Sequence, residues 1–250
     1  MSNKLFTEGI VKYTSWFICF FALSSASSFA SSDINPFDST FVAYHDGKKV
    51  GEAHLSLKHI QDNEFELSYA SKVSKFFLSD RRYETTLFEV QDDTLVPTKY
   101  RYKREGTGPN KKTLVQFDKD SNMIMVNKEP KFEWNNEIDN QLFRIDLSNR
   151  IKQGDTQFQY DFINYRGQKR QYNLSVMSTD SLSLPYGQIT AVKVRIDRES
   201  KKRVTYAWYA PDLDYTLVRL QQFKEGNEQG DIKLLTFSKE SEQVSKNSNY

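Results

Sequence analysis

"TYAWYAPDLDYTLVRLQQF", residues 205–223, sets Tyr206, Trp208, Tyr209, Tyr215 and Phe223 around one proline and two aspartates. Pro211 fixes φ and has no N–H for a strand ladder, so "APDLD" reads as a turn, with Asp212 and Asp214 placed to accept from nearby amides. Two strands therefore flank it. Side chains alternate along a strand. Val204, Tyr206 and Trp208 share one face of the first, and Arg203, Thr205, Ala207 and Tyr209 the other. On the second, Thr216, Val218 and Leu220 form a more apolar set than Leu217, Arg219 and Gln221. Rings beside a turn commonly complete a core, because each buries roughly 150–250 Å². The competing reading is an aromatic platform that meets a ligand.

The same period-two pattern extends outward across the chain past Phe37, with turn chemistry between the runs. "STFVAYHDGKKVGEAHLSL" reads as a hairpin with Asp46-Gly47 at its tip, a pair that accepts the positive φ angles of a type I′ turn. Counting back from that tip sets His45 against Lys48 and His54 against Ser39. Turn signals recur in "QDD", "GTGPNKK", "DKDSN", "YRGQ", "LPYG" and "EGNEQG". One segment departs from the rhythm. In "NNEIDNQLFRIDLSNRIKQG", Ile138, Leu142, Ile145 and Ile151 recur at near-helical spacing, which predicts a helix over about 137–151 with Asn136 as its cap and Gly154 beyond its end. No repeat period or low-complexity linker divides the chain, so one domain over 31–238 is expected, followed by a polar tail over 239–250.

Residues 1–30 read as a secretory signal: Lys4 and Lys12 charge the start, "WFICFFAL" is a short apolar run, and Ser28-Phe29-Ala30 supplies small residues before a cut. A membrane-spanning helix needs about 20 apolar residues, more than this run supplies. Export to the periplasm follows. The one cysteine, Cys19, lies in this stretch, which leaves the rest of the chain without a thiol for a disulfide, a thiolate metal site or a cysteine nucleophile. The net charge is +2, and loss of Lys4, Lys12 and Glu8 with the leader leaves +1. Nucleic-acid binders carry a marked basic excess, so that class is set aside.

Motifs that carry chemistry are weak. His45, His54 and His59 lie close in sequence, but His54 and His59 are an odd number apart and face opposite ways, and no carboxylate is spaced to complete a zinc site. "DKDSNMIMVNKE" places Asp118, Asp120, Asn122 and Glu129 at positions of a calcium loop, yet Met123 stands where the sharp turn demands glycine, so a hairpin turn is the reading. No nucleophile elbow, phosphate loop or dinucleotide fingerprint is present, so no cofactor is expected and the balance leans away from an enzyme. "KYRYKREG" puts Lys99, Arg101 and Lys103 on one face and Tyr100 and Tyr102 on the other, as in a strand with one wet side. "RGQKR" and "ESKKR" make basic turns at Arg166, Lys169, Arg170, Lys201, Lys202 and Arg203. Gathered at one rim, such tips attract anionic lipid or polysaccharide; scattered solubilising charge is the plainer expectation.

"VAYHDGKKVGEAHLSL", "LVPTKYRYKREG", "IDNQLFRIDLSNRIKQGD", "SLSLPYGQITAVKV" and the opening stretch together resemble an exported bacterial family catalogued as domain of unknown function 3108, across most of residues 39–238. The resemblance departs after the last turn, where the family tends to place proline and this chain has Thr216-Leu217-Val218. It implies a curved antiparallel β structure in the cell envelope, with no activity and no functional residues to carry over.

The expected fold is all-β: a curved antiparallel meander closing partly or fully into a barrel, with one helix at its opening. Aromatic residues make up 14% of the chain, and partly open barrels hold apolar ligands in their mouths. The leading functional expectation is a periplasmic carrier for a lipid or similar amphipathic ligand, with Trp208, Tyr206 and Trp134 as candidate wall residues. The alternative is an envelope scaffold with a packed interior that docks a protein partner.

Overall fold

The computed structural model describes residues 34–75, 77–198 and 202–239. The leader, Cys19 and the tail beyond Lys239 lie outside the described residues. The strands are β1 (Phe37–His45), β2 (Lys48–Gln61), β3 (Glu64–Lys75), β4 (Leu78–Gln91), β5 (Thr94–Gly106), β6 (Lys111–Asp118), β7 (Met123–Val126), β8 (Glu129–Glu133) and β9 (Ile138–Asp139). Helix α1 (Phe143–Lys152) follows, then β10 (Gln157–Ile163), β11 (Lys169–Leu184), β12 (Gly187–Arg198), β13 (Arg203–Ala210), β14 (Thr216–Lys224) and β15 (Asn227–Lys239).

All fifteen strands belong to one sheet, in the order β8-β7-β6-β5-β4-β3-β2-β1-β15-β14-β13-β12-β11-β10-β9. Two meanders thus meet where the first strand pairs antiparallel with the last, Phe37 opposite Lys239 through Tyr44 opposite Asp231. One pairing is parallel, β9 with β10. The ladder does not close on itself: β8 and β9 are its ends. Curvature nonetheless brings the two ends together through side chains. Thr113 Oγ1 donates to Tyr165 O at 2.8 Å, Lys131 Nζ to Gly167 O at 2.9 Å and Lys169 Nζ to Glu133 O at 3.0 Å. This is the partly closed barrel that the alternation predicts, with its edge groups engaged by side chains instead of a further ladder.

Local chemistry explains the joints. Asp46 and Gly47 take φ of 49° and 72°, and His45 pairs with Lys48. A bulge between Ala43 and Tyr44 then slips the register, so His54 faces Thr40 instead of the counted Ser39. Pro211–Leu213 form one turn of 3-10 helix, and Asp214 and Tyr215 follow at φ of 53° and 54° before β14 begins. Helix α1 starts at Phe143, six residues later than the apolar spacing predicts. The reason lies in Asp139. Its Oδ1 accepts from Gln141 N at 2.8 Å and Leu142 N at 3.1 Å, which folds 139–142 into a turn, while Ile138 and Asp139 are taken up by pairing with Phe162 and Ile163. Asn136, the expected cap, sits at φ 64° and the helix start has no side-chain cap.

Phe143, Leu147 and Ile151 bury one face of α1, and Ile145 the opposite one, in the larger apolar cluster, which also holds Phe41, Leu55, Phe162, Trp208, Tyr209 and Leu234. Ser148 Oγ donates to Tyr215 O at 2.7 Å and Lys152 pairs with Asp214 at 2.6 Å, tying the helix to the β13–β14 turn. A smaller cluster of Tyr100, Tyr102, Val115, Phe117, Ile124, Val126 and Ile163 fills the space where the two ends of the sheet meet.

Candidate functional site

Inside the curve, β3, β4, β5, α1, the 164–168 loop and β11 to β15 surround a cavity of about 660 Å³. Six arginines line it, each from a different element or turn: Arg82 on β4, Arg144 on α1, Arg166 in the loop after β10, Arg170 on β11, Arg198 at the end of β12 and Arg203 at the start of β13. Glu84 is the one carboxylate in the lining. Arg166 and Arg203 are exposed, so they mark the rim, whereas Phe143 and Ile196 are buried and, with Leu220 and Ile232, form an apolar floor.

Neutral donors hold Glu84. Tyr100 donates to its Oε2 at 2.5 Å and Asn140 Nδ2 to the same oxygen at 2.8 Å. Burial first, and then the Glu84 charge, hold the Tyr100 phenol well above its ordinary range. Arg82 is bound by Asp80, with Arg82 Nη2 2.8 Å from Asp80 Oδ2. Among the described residues, the other five arginines have no carboxylate within ion-pair distance. The Arg144 guanidinium lies 5.8 Å from the Tyr69 ring centre and 6.0 Å from that of Phe143, and that of Arg198 lies 5.4 Å from the Tyr172 ring centre. The Nε atoms of Arg144 and Arg198 and the Oγ1 of buried Thr205 are inaccessible and have no hydrogen-bond partner.

Behind the cavity wall Asp139 is fully buried; Thr86 Oγ1 donates to its Oδ1 at 2.7 Å while Oδ2 has no partner. Desolvation raises this carboxyl from 3.8 to about 6, against the pull of its amide and hydroxyl donors. The folded chain therefore holds a proton between those values that the unfolded chain has lost. Stability falls as pH rises from about 4 to 6, by up to about 3 kcal/mol, and stays lower above that. Asp139→Asn keeps an acceptor without the charge. We expect it to raise the melting midpoint by up to about 6–12 °C at pH 7.5 and by about a third of that at pH 4.5; thermal melts at the two pH values check this, and an equal loss at both would refute it.

Trp208, Tyr206 and Trp134 sit elsewhere. Trp208 and Tyr206 are on the face of β13 opposite Arg203 and Thr205. Trp208 is buried there, its Nε1 donating to Asp180 Oδ2 at 2.9 Å with the Arg219 guanidinium 4.7 Å from its ring. Trp134 lines a second cavity, of about 520 Å³, with Tyr160, Asp146 and Asp161, and its Nε1 donates to Glu137 O at 2.9 Å. Of the basic turns, Arg166, Arg170 and Arg203 come together at the large cavity, whereas Lys169 pairs with Glu137 at 2.5 Å and Lys202 with Glu225 at 3.3 Å; Lys201 is outside the described residues. Arg82, Arg144 and Arg198 carry no sequence signal of their own. The histidines are dispersed, His54 against Asp38 at 2.7 Å, His45 against Asp46 at 2.8 Å and His59 against Asp62 O at 2.7 Å. Asp118 accepts from Asp120 N and Ser121 N in the turn between β6 and β7.

The model of a family described as a protein of unknown function, DUF3108, matches residues 40–233. No curated protein matches the chain. Among solved structures, the chain is similar to a β-barrel-like protein of domain of unknown function DUF1849 from Brucella abortus, with a TM-score of 0.55 and 8% identity over 82% of this chain and 98% of that one. A Bacteroides fragilis protein described as exported, with a YmcC-like fold, aligns at a TM-score of 0.32 and 12% identity over 82% of this chain and 96% of its own. The Brucella likeness concerns the fold alone.

Proposed function

The chain belongs to the DUF3108 family, and on that premise we propose that it is an exported, periplasmic binding module that carries one amphipathic small molecule inside its curved sheet. The cavity carries this reading. Its volume of about 660 Å³ falls within the roughly 300–1,000 Å³ of small-molecule sites. Its wall is divided: an apolar floor of Phe143, Ile196, Leu220 and Ile232 below exposed charge at Arg166 and Arg203. Such a division suits a ligand with one hydrocarbon part and one polar part. The charged, apolar and small-residue order of positions 1–30 supports export.

A second reading, docking to an envelope protein, draws on the β3–β4 turn, where Phe77 is fully exposed and Leu78 largely so. The two separate on one experiment. Native mass spectrometry of the protein purified from its own compartment, followed by organic extraction, is expected to show one additional mass per chain that is recovered as an acyl species. A chain mass with nothing bound and a clean extract would contradict the carrier reading.

A further inference from the structure

We propose that the ligand carries a phosphate group and that Arg144 and Arg198 are its main partners, an inference that rests on the cavity being the ligand site. A guanidinium taken partly out of water is costly unless paired. Of the cavity's arginines only Arg82 has a carboxylate partner among the described residues. The Nε atoms of Arg144 and Arg198 and the hydroxyl of Thr205, 3% exposed, are sealed and unpartnered, so what the two arginines offer the cavity they line is their terminal Nη groups. Each guanidinium also lies within cation–π distance of a ring, Arg144 at 5.8 Å from Tyr69 and Arg198 at 5.4 Å from Tyr172, which restrains its position.

The complement of this set is an anion with more than one charge and several oxygens. Phosphate meets it, since each of its oxygens accepts and guanidinium forks match it two bonds at a time. A cation is repelled, and a neutral sugar leaves the charge uncompensated. A single carboxylate satisfies one fork and leaves the other bare. The neighbouring apolar floor of Ile196, Leu220 and Ile232 places hydrocarbon next to that phosphate, which describes a phosphorylated amphiphile.

Calorimetric titration of the full mature protein with dihexanoyl phosphatidic acid, dihexanoyl phosphatidylcholine and inorganic phosphate tests this. Phosphatidic acid is expected to bind one per chain, at least about tenfold tighter than the zwitterionic lipid, and the Arg144→Gln, Arg198→Gln double variant is expected to lose about 10- to 100-fold for phosphatidic acid alone. Because neither arginine has an acidic partner among the described residues, the ligand-free variant should melt at or above the parent's midpoint, so lost affinity is not lost fold. Equal binding of the two lipids, or an unchanged preference in the variant, overturns the phosphate proposal and leaves the carrier reading standing. Inorganic phosphate binding as tightly as phosphatidic acid keeps the anion site and overturns the amphipathic reading. No binding by any of the three overturns both.

Discussion

Phe41→Ala is expected to cost about 3–5 kcal/mol, the range for emptying a well-packed aromatic site. Phe41 is 0% exposed and sits at the bulge where β1 faces Leu234 on β15 and Ala53 on β2. In the ladder order only the β1–β15 pairing joins the β2–β8 half to the β9–β14 half. The void therefore opens at the seam of both meanders, where strands held on either side cannot collapse to fill it. For a chain of this size the loss corresponds to a fall in the melting midpoint of about 6–20 °C. Phe41→Leu keeps most of the volume and should cost less than about 2 kcal/mol. Urea unfolding followed by circular dichroism measures both, and a Phe41→Ala cost below about 1 kcal/mol would mean that the two meanders are not locked through this strand.

Gly51→Ala carries the second large effect. A Cβ at Gly51 would stand 2.0 Å from Lys72 O and 2.8 Å from Val73 Cα, both backbone atoms of β3. The β1–β2 bulge lies beside it, between the Ala43–Gly51 and Tyr44–Lys49 pairs, and the bend presses β2 onto its other neighbour. Glycine is needed here for close approach. Side chains can rotate away from an added methyl, but paired backbone cannot without breaking the ladder. The cost is expected to reach or exceed about 3 kcal/mol, the upper end for overpacking. Hydrogen exchange should show protection lost along Glu52–Ala53 and Ser71–Val73 before the rest of the sheet. A variant as stable as the parent would contradict the spacing of these two strands.

The sheet is legible in the sequence because its signal is local. Alternation of Tyr100 and Tyr102 against Lys99, Arg101 and Lys103 gives the face of β5, and the structure buries the two rings. Asp46-Gly47 and Pro211 mark their turns through backbone conformations that few residues tolerate. The start of α1 is less legible, since Ile138 fits both a helical stripe and a strand, and its pairing with Phe162 is a contact across 24 positions. Register beyond a bulge fails in the same way: one extra residue near Tyr44 moves His54 from Ser39 to Thr40.

The cavity is not legible for a stronger reason. Its arginines come from positions 82 to 203, and each in isolation reads as ordinary surface charge on a strand, a turn or the helix. Only "RGQKR" and "ESKKR" mark basic tips, and even there the structure sorts them, sending Arg170 and Arg203 to the cavity and Lys169 to Glu137. Arg144 is hidden more deeply. It occupies a position on the helix between Phe143 and Ile145, both buried, and would pass as a solvated residue. Trp208, which aromatic richness singles out, is buried, with its N–H on Asp180. What marks the cavity is a relation among distant residues, six guanidiniums of which only Arg82 has a carboxylate partner among the described residues, and only the folded chain displays it.

Nuclear magnetic resonance of protein labelled with ¹⁵N in arginine reads that relation directly. On titration with dihexanoyl phosphatidic acid, the Nε–H resonances of Arg144 and Arg198 should shift together and saturate at one equivalent, while those of Arg81 and Arg101, outside the cavity lining, stay in place. Shifts confined to Arg81 and Arg101, with Arg144 and Arg198 unmoved, would show that the anion meets the surface and that the cavity is not the site.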